Sequence, residues 1–230
     1  SLFSFAFYLP WLVHTRFRPM RTSKFRVHFV RSFFNAGSII AWYVAIAIIP
    51  LADATALALI SPLFTTLAAV MFLGERARLR RWIAMGIGIL GALVIIRPGF
   101  QSISIGFLYV VLSISMMAGS RVFAKQLTKS DRPVAIGAWV ALLQIPITFC
   151  LAIFFWRWPD LTQMGMLFIV GLMAGGAHFT MAMAYNRTDV SALEPFNFIR
   201  LIIAAFIGYF VFSELPDIWT WVGGAIIIAS

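Results

Sequence analysis

The sequence is short of charge, of acidic residues above all, and of cysteine. Of its 230 residues, 62% are hydrophobic, 11% are charged and only 8 are acidic. Soluble domains have about 45 to 50% apolar and about 25% charged residues, so this composition excludes a soluble domain and indicates an integral membrane protein. The single cysteine, Cys150, lies in an apolar run, which excludes a disulfide framework or a cysteine-bound metal within one chain.

Long apolar runs without a polar face predict membrane-spanning helices. The run from Ala54 to Leu73 contains no charged residue, and about 20 residues at a rise of about 1.5 Å match a hydrocarbon layer about 30 Å thick. Polar and apolar residues do not alternate, and several runs contain proline, which favours helices over a membrane barrel. The sequence predicts crossings at residues 31–49, 54–73, 83–96, 103–120, 134–156, 164–185 and 190–212, with partial ones at 2–13 and 219–230.

The cations mark one side of the predicted membrane. Fifteen of the 18 Lys and Arg residues fall in four alternate loops, at 16–31, 76–81, 121–132 and 187. This pattern places those loops in the cytoplasm, with anionic lipid headgroups as their neighbours. A nucleic-acid interface would interleave cations with aromatic residues on one surface, so the net charge of +10 does not indicate nucleic-acid binding.

The two halves of the chain carry the same landmarks. In each half an aspartate opens a crossing, a glutamate ends it and a tryptophan follows the glutamate by seven residues: Asp53, Glu75 and Trp82, then Asp189, Glu214 and Trp221. Five predicted crossings lie between Asp53 and Asp189. Because this number is odd, the second copy has the opposite orientation in the membrane. Inverted repeats are an architecture of transporters, with the binding site at the repeat interface near the bilayer midplane.

Several segments resemble the EamA family of the drug/metabolite transporter superfamily. They are PLADATAL at 50–57, SPLFTTLAAVMFLGER at 61–76, SALEPF at 191–196, GYFVFSELPD at 208–217 and WTWVGGAIIIAS at 219–230. The likeness covers nearly the whole chain, although Ser213 stands where a glycine commonly precedes the glutamate of the second repeat.

The resemblance implies an all-α polytopic membrane protein, with ten helices in two inverted five-helix repeats. Residues 1–99 would form the first repeat and residues 103–230 the second, in a fragment that lacks the first helix and the ends of the second and tenth. It also implies a cavity that opens to one side at a time and passes a small-molecule metabolite. We therefore expect a secondary transporter of the bacterial inner membrane, monomeric or homodimeric, with no cofactor and no metal.

Ionisable residues inside a predicted crossing are candidates for the substrate site. Arg200 lies about ten residues into the crossing at 190–212, where a guanidinium that faces lipid costs at least about 2.5 kcal/mol, so it requires a cavity or a partner. Glu194 lies roughly 120° away around the helix, and Asn197 lies between the two. These three residues are predicted to bind substrate, and the alternative is a structural ion pair that closes the bundle.

Four further residues are predicted to line the substrate site. His178, in the crossing at 164–185, either relays a proton or binds substrate, or is a satisfied core residue. Asn35, Trp42 and Tyr43 share the crossing at 31–49, and their aromatic rings could stack on a planar or cationic substrate. Packing and anchoring at the membrane interface are the alternative for the aromatic residues.

Proline and glycine suggest hinges and close helix contacts. Pro62 and Pro195 interrupt predicted helices, so they are expected at kinks or gating hinges. Residues 86–91 satisfy GxGxxG, but no strand precedes them, and close helix contact explains their glycines better than a dinucleotide site. The same explanation applies to Gly171 and Gly175. Glu75, followed by Arg76, is expected to cap a helix and close the repeat.

Two other classes of function compete with transport. A membrane-embedded enzyme needs clustered catalytic acids, histidines or cysteines, whereas the 8 acids and 3 histidines of this chain are scattered. We therefore expect no catalytic residues and no enzyme. A non-transporting scaffold subunit would have helix interfaces without a polar cavity, and it is distinguished by whether Arg200, His178, Asn35 and Trp42 converge on one pocket.

Overall fold

The computed structural model describes residues 1–49, 54, 57–76, 78–96, 105–155, 158–199, 222, 225 and 226. The regular secondary structure within these ranges is helical. The α-helices are α1 Leu2–Ala6, α2 Leu9–His14, α3 Phe25–Ile48, α4 Ser61–Leu73, α5 Leu79–Ile96, α6 Ile105–Leu127, α7 Pro133–Ala152, α8 Leu161–Arg187 and α9 Val190–Leu193. Short 3-10 helices occupy Arg18–Met20, Ile153–Phe155 and Glu194–Phe198.

Four of these helices, α3, α6, α7 and α8, are long and apolar enough to cross a membrane. Helix α4 is apolar but shorter. The prediction of an all-α polytopic membrane protein is thereby confirmed. Several predicted boundaries were wrong in one direction, because α3 begins at Phe25 rather than at residue 31 and α6 continues to Leu127 rather than ending at residue 120. Part of each predicted basic loop is therefore helix.

Local signals in the sequence explain where two helices begin or end. Asp160 precedes α8 and accepts a hydrogen bond from the Gln163 amide at 2.7 Å, while the Gln163 side chain accepts one from the Asp160 amide at 3.1 Å. This reciprocal capping box satisfies two amides that the first turn leaves without helical partners. Helix α4 ends at Leu73 and is followed by Gly74, whose φ of 66° lies in the left-handed region that only glycine adopts without a penalty.

The chain divides into two compact units. The first comprises Ser1–Gly37 and Gly119–Thr188, and the second comprises Ser38–Ala118 and Asp189–Ser230. Helices α3 and α6 contribute residues to both units. The predicted repeats at 1–99 and 103–230 divide the chain differently, because they were drawn from repeated sequence features and not from contacts. They stay a prediction.

In the first unit, α1 packs on a glycine face of α8. A side chain at Gly171 would overlap Cβ of Phe3, and one at Gly175 would lie 2.7 Å from Cβ of Phe7. Tyr8, which follows α1, is buried and donates a hydrogen bond from its hydroxyl to the Gly175 carbonyl at 2.6 Å. The prediction that Gly171 and Gly175 allow close helix contact is therefore confirmed.

In the second unit, an apolar cluster joins α3, α6 and the segment before α4. Its buried members are small or aliphatic: Ala45, Ile49, Ala54, Ala58, Val110 and Ile114. Residues 86–91 lie inside α5, so they do not form the strand-to-helix loop that a dinucleotide site requires. Among the residues that the structure describes, none has an atom within 4 Å of the position of a Cβ added at Gly86, so the expected close contact is not found at that glycine within this set.

Candidate functional site

A buried amide cluster connects three long helices of the first unit. The Gln144 side-chain amide on α7 donates to Oδ1 of Asn35 on α3, and Nδ2 of Asn35 lies 3.5 Å from the Ser120 hydroxyl on α6. All three side chains are less than 5% exposed. Polar groups at this depth are costly unless they are paired, so the cluster fixes which faces of these helices meet. Asn35, a predicted substrate ligand, is thus held by neighbouring helices.

Charged side chains are also buried near the start of α3. Nε2 of His28 lies 2.9 Å from Oδ2 of Asp131, and the two side chains are 0% and 7% exposed. Oδ2 of Asp131 also accepts a hydrogen bond from the Thr22 hydroxyl at 2.9 Å. Arg31, one turn along α3, is 4% exposed and donates from Nη1 to the Ile136 carbonyl at 2.6 Å. His28, Arg31 and Asp131 therefore belong to the interior of the unit.

Sequence reasoning missed these buried charges because it counted residues up to 31 as a loop. The signal that would have found them is helical spacing. The buried polar side chains of α3 recur every three or four residues, which places them along one helix face: His28, Arg31, Ser32, Asn35 and Ser38.

The second unit contains a buried carboxylate at a break in helical structure. Helix α9 lasts only from Val190 to Leu193, and a 3-10 helix then runs from Glu194 to Phe198. Pro195 lacks an amide proton, so it cannot continue the α-helical hydrogen-bond ladder. Glu194 is 0% exposed, and its Oε2 accepts a hydrogen bond from Nδ2 of Asn197 at 2.9 Å. The interruption that the sequence predicts at Pro195 therefore takes the form of this 3-10 helix, and the structure brings Glu194 and Asn197 together.

Glu75, the next-to-last residue of the segment at 61–76, caps the start of α9. Its Oε1 accepts a hydrogen bond from the Val190 amide at 2.9 Å, and its Oε2 accepts from the Ser191 amide at 3.1 Å and the Ser191 hydroxyl at 2.8 Å. Arg81 donates to the Ser191 hydroxyl at 2.7 Å and lies 3.3 Å from a carboxylate oxygen of Asp189. The prediction that Glu75 caps a helix is confirmed, with the helix now identified.

We expect Glu75→Gln to lower the free energy of unfolding by about 1 to 3 kcal/mol, because charge-assisted hydrogen bonds to two amides and a hydroxyl are weakened or lost. Arg76→Gln is the matched control. Arg76 is the exposed neighbour of Glu75, and surface substitutions usually change stability by less than about 0.5 kcal/mol. Thermal unfolding of the full-length protein in detergent measures both variants. Equal midpoints for the two would show that the cap contributes nothing.

The remaining predicted site residues lie in different surroundings. Trp42 is half-buried against the apolar cluster of the second unit, whereas the neighbouring Tyr43 is 64% exposed. His178 lies partly exposed on α8 in the first unit. Pro62 is the second residue of α4, after a turn at residues 59–60, and so begins that helix. Whether any of these residues meets substrate stays a prediction.

Some predicted landmarks lie outside the residues that the structure describes: Asp53, Arg200, Glu214 and Trp221. Convergence of Arg200 with His178, Asn35 and Trp42 is therefore untested. Among the residues that are described, no three His, Cys, Asp or Glu side chains lie close enough together to hold a metal ion.

Three features of this structure are typical of polytopic membrane transporters: apolar helices long enough to span a membrane, buried polar residues within them, and a helix interrupted at a carboxylate. Comparison with known proteins gives the same class. The profile of the EamA-like transporter family matches residues 1–97 and 104–230. The chain belongs to this family.

Individual relatives share about three tenths of their residues with this chain. It is 32% identical over 234 residues to a riboflavin transporter of Brucella anthropi, which covers 96% of this chain and 80% of that protein. It is 28% identical over 226 residues to an S-adenosylmethionine uptake transporter of Rickettsia bellii, covering 98% of this chain and 78% of that one. A solved crystal structure matches 99% of this chain and 81% of its own with a TM-score of 0.81 at 17% identity, which shows the fold alone.

Proposed function

We propose that this protein is a secondary transporter that carries a small metabolite across the bacterial inner membrane by alternating access between two inverted repeats, residues 1–99 and 103–230. The observation that carries the proposal is the buried carboxylate of Glu194 at a helix break, beside Asn197. Interrupted helices expose backbone groups and polar side chains at membrane depth only where these are buried in protein or line a cavity. In this proposal the polar groups at the break bind a polar substrate.

The names of the relatives guide the choice of substrate. Riboflavin and S-adenosylmethionine both contain a nitrogen heterocycle and several polar groups, so we propose a metabolite of that kind. The aromatic pair Trp42 and Tyr43 on α3 offers surfaces on which such a ring could stack. In this proposal the polar contacts come from Arg200, Glu194, Asn197, His178 and Asn35. The hinges lie at Pro62 and Pro195.

Three further features belong to the same proposal. A proton gradient drives transport through Glu194 or His178, since both groups can bind and release a proton. Anionic lipids contact the basic loops, and the assembly is a monomer or a homodimer. The protein is not an enzyme, which is supported by the transport names of its relatives.

Uptake into liposomes tests this function. We expect the full-length protein to accumulate labelled riboflavin or labelled S-adenosylmethionine with saturable kinetics, and a protonophore to reduce the accumulation. Empty liposomes and liposomes that contain heat-denatured protein are the controls. A panel of other small metabolites, screened by thermal shift, extends the search if both compounds are inactive. Absence of saturable binding and of uptake across the whole panel would contradict the proposal.

A further inference from the structure

A cavity of about 650 Å³ lies in the first unit, apart from Asn35 and its neighbours. Two segments line it, residues 14–21 after α2 and residues 130–132 before α7. Its charged lining consists of four arginines and one aspartate, with His14 beside them: Arg16, Arg18, Arg21, Arg132 and Asp131. The arginines are exposed, and the positive-inside pattern puts this end of the unit in the cytoplasm.

The one carboxylate of the cavity is already engaged. Oδ2 of Asp131 accepts hydrogen bonds from the Thr22 hydroxyl and lies against Nε2 of His28, each at 2.9 Å, and its side chain is only 7% exposed. Within the described part of the chain, the four arginines form no ion pair and no side-chain hydrogen bond. The cavity therefore presents several guanidinium groups without a neutralising partner.

The basic segment is held in an unusual backbone conformation. Arg16 and Phe17 have φ angles of 50° and 55°, in the left-handed region that non-glycine residues rarely adopt. Hydrogen bonds fix both ends of the segment, from the Phe17 amide to the Leu12 carbonyl at 2.8 Å and from Nε1 of Trp139 to the Met20 carbonyl at 3.2 Å. Backbone strain that the surrounding structure maintains is frequent at ligand sites.

We propose that this cavity binds the phosphate group of an anionic ligand on the cytoplasmic side. One guanidinium group can bind two oxygens of a phosphate through two parallel N–H donors, a geometry that a lysine ammonium cannot reproduce. The volume falls within the range of about 300 to 1,000 Å³ that small-ligand sites occupy. The ligand is either a soluble phosphate ester or the headgroup of an anionic phospholipid. This site is separate from the one proposed for the transported metabolite and does not depend on it.

Two binding measurements on the purified full-length protein separate the two sources. The soluble arm is calorimetric titration with glycerol 3-phosphate. The lipid arm is native mass spectrometry after reconstitution in bilayers of phosphatidylglycerol mixed with phosphatidylcholine, which measures the phosphatidylglycerol retained. Binding only of glycerol 3-phosphate assigns the site to soluble phosphates, and retention only of phosphatidylglycerol assigns it to the membrane.

Paired variants test whether the cavity, and not the general surface charge, binds the ligand. We expect Arg18→Gln with Arg21→Gln to weaken binding about tenfold or more, and Arg18→Lys with Arg21→Lys to weaken it as well, since lysine loses the fork geometry. The matched control is Lys24→Gln with Arg26→Gln, which removes the same charge from exposed positions that do not line the cavity. Unfolding midpoints verify that all variants fold.

Two outcomes would overturn the proposal. One is that the wild-type protein binds neither probe. The other is that the cavity variants and the control variant lose binding equally, because the interaction would then come from the overall positive charge of the loop.

Discussion

The variant Glu194→Gln should lose proton-driven transport by about 100-fold or more while keeping its fold, because a carboxyl group exchanges a proton and an amide does not. Glutamine preserves the shape of the side chain and an oxygen that can accept the hydrogen bond from Asn197. Folding should therefore survive the change. Initial rates of uptake into liposomes with an imposed proton gradient measure the effect.

A matched control makes the same chemical change elsewhere. Asp160→Asn converts a carboxylate to an amide at the exposed start of α8, where asparagine caps a helix about as well as aspartate. We expect this variant to transport at the wild-type rate. If Glu194→Gln also transports at the wild-type rate under the gradient, Glu194 only braces the helix break and the proton must bind elsewhere. If it retains counterflow but not gradient-driven uptake, Glu194 carries the proton without being needed for substrate binding.

The sequence predicted the class of fold and of function because both depend on features that composition carries. Runs such as 134–156 contain too few polar residues for a soluble helix, and α7 is found there, at Pro133–Ala152. The repeated landmarks and the segment around Glu75 led to the EamA family, which the family profile confirms. These features are visible in the order of residues along the chain, so recognising them requires no knowledge of which helices are in contact.

The buried charges could not be predicted in the same way, because their partners are distant in sequence. His28 meets Asp131 across 103 positions, and Arg31 meets the carbonyl of Ile136 across 105. A charge count alone assigns such residues to the loops, since unpaired cations are costly inside a membrane protein. Only the contact between α3 and the start of α7 shows that these charges have partners.

The break at Glu194 was predicted only in part from the sequence. Pro195 predicted an interruption, but not its form, because a proline inside a helix can produce a kink, a 3-10 turn or a new start. Pro146 lies within the continuous helix α7, whereas Pro195 lies in the 3-10 helix that follows α9. The same residue type thus occurs in two backbone conformations, so a proline alone does not determine the form of an interruption.

The variant Gly171→Val should destabilise the first unit by about 1 to 3 kcal/mol or more, because overpacking at a tight contact forces backbone or side chains to move. The nearest atoms to the added Cβ would be Cβ of Phe3 and the Phe3 backbone, whose carbonyl carbon and Cα lie at 3.1 and 3.2 Å. A flexible side-chain tip could turn away, but the backbone of α1 cannot. Thermal unfolding of the full-length protein in detergent measures the loss.

Gly165→Val is the control for the intrinsic effect of valine on helix α8. Gly165 lies on the same helix, and no atom of the described residues lies within 4 Å of the position of its added Cβ. Both variants replace glycine by the same β-branched residue, so the change in helix propensity cancels in the comparison. We expect Gly165→Val to unfold at or slightly above the wild-type midpoint. If Gly171→Val has the same unfolding midpoint as Gly165→Val, α1 does not pack closely on α8 at Gly171. The hydrogen bond from Tyr8 to the Gly175 carbonyl would then also be in question.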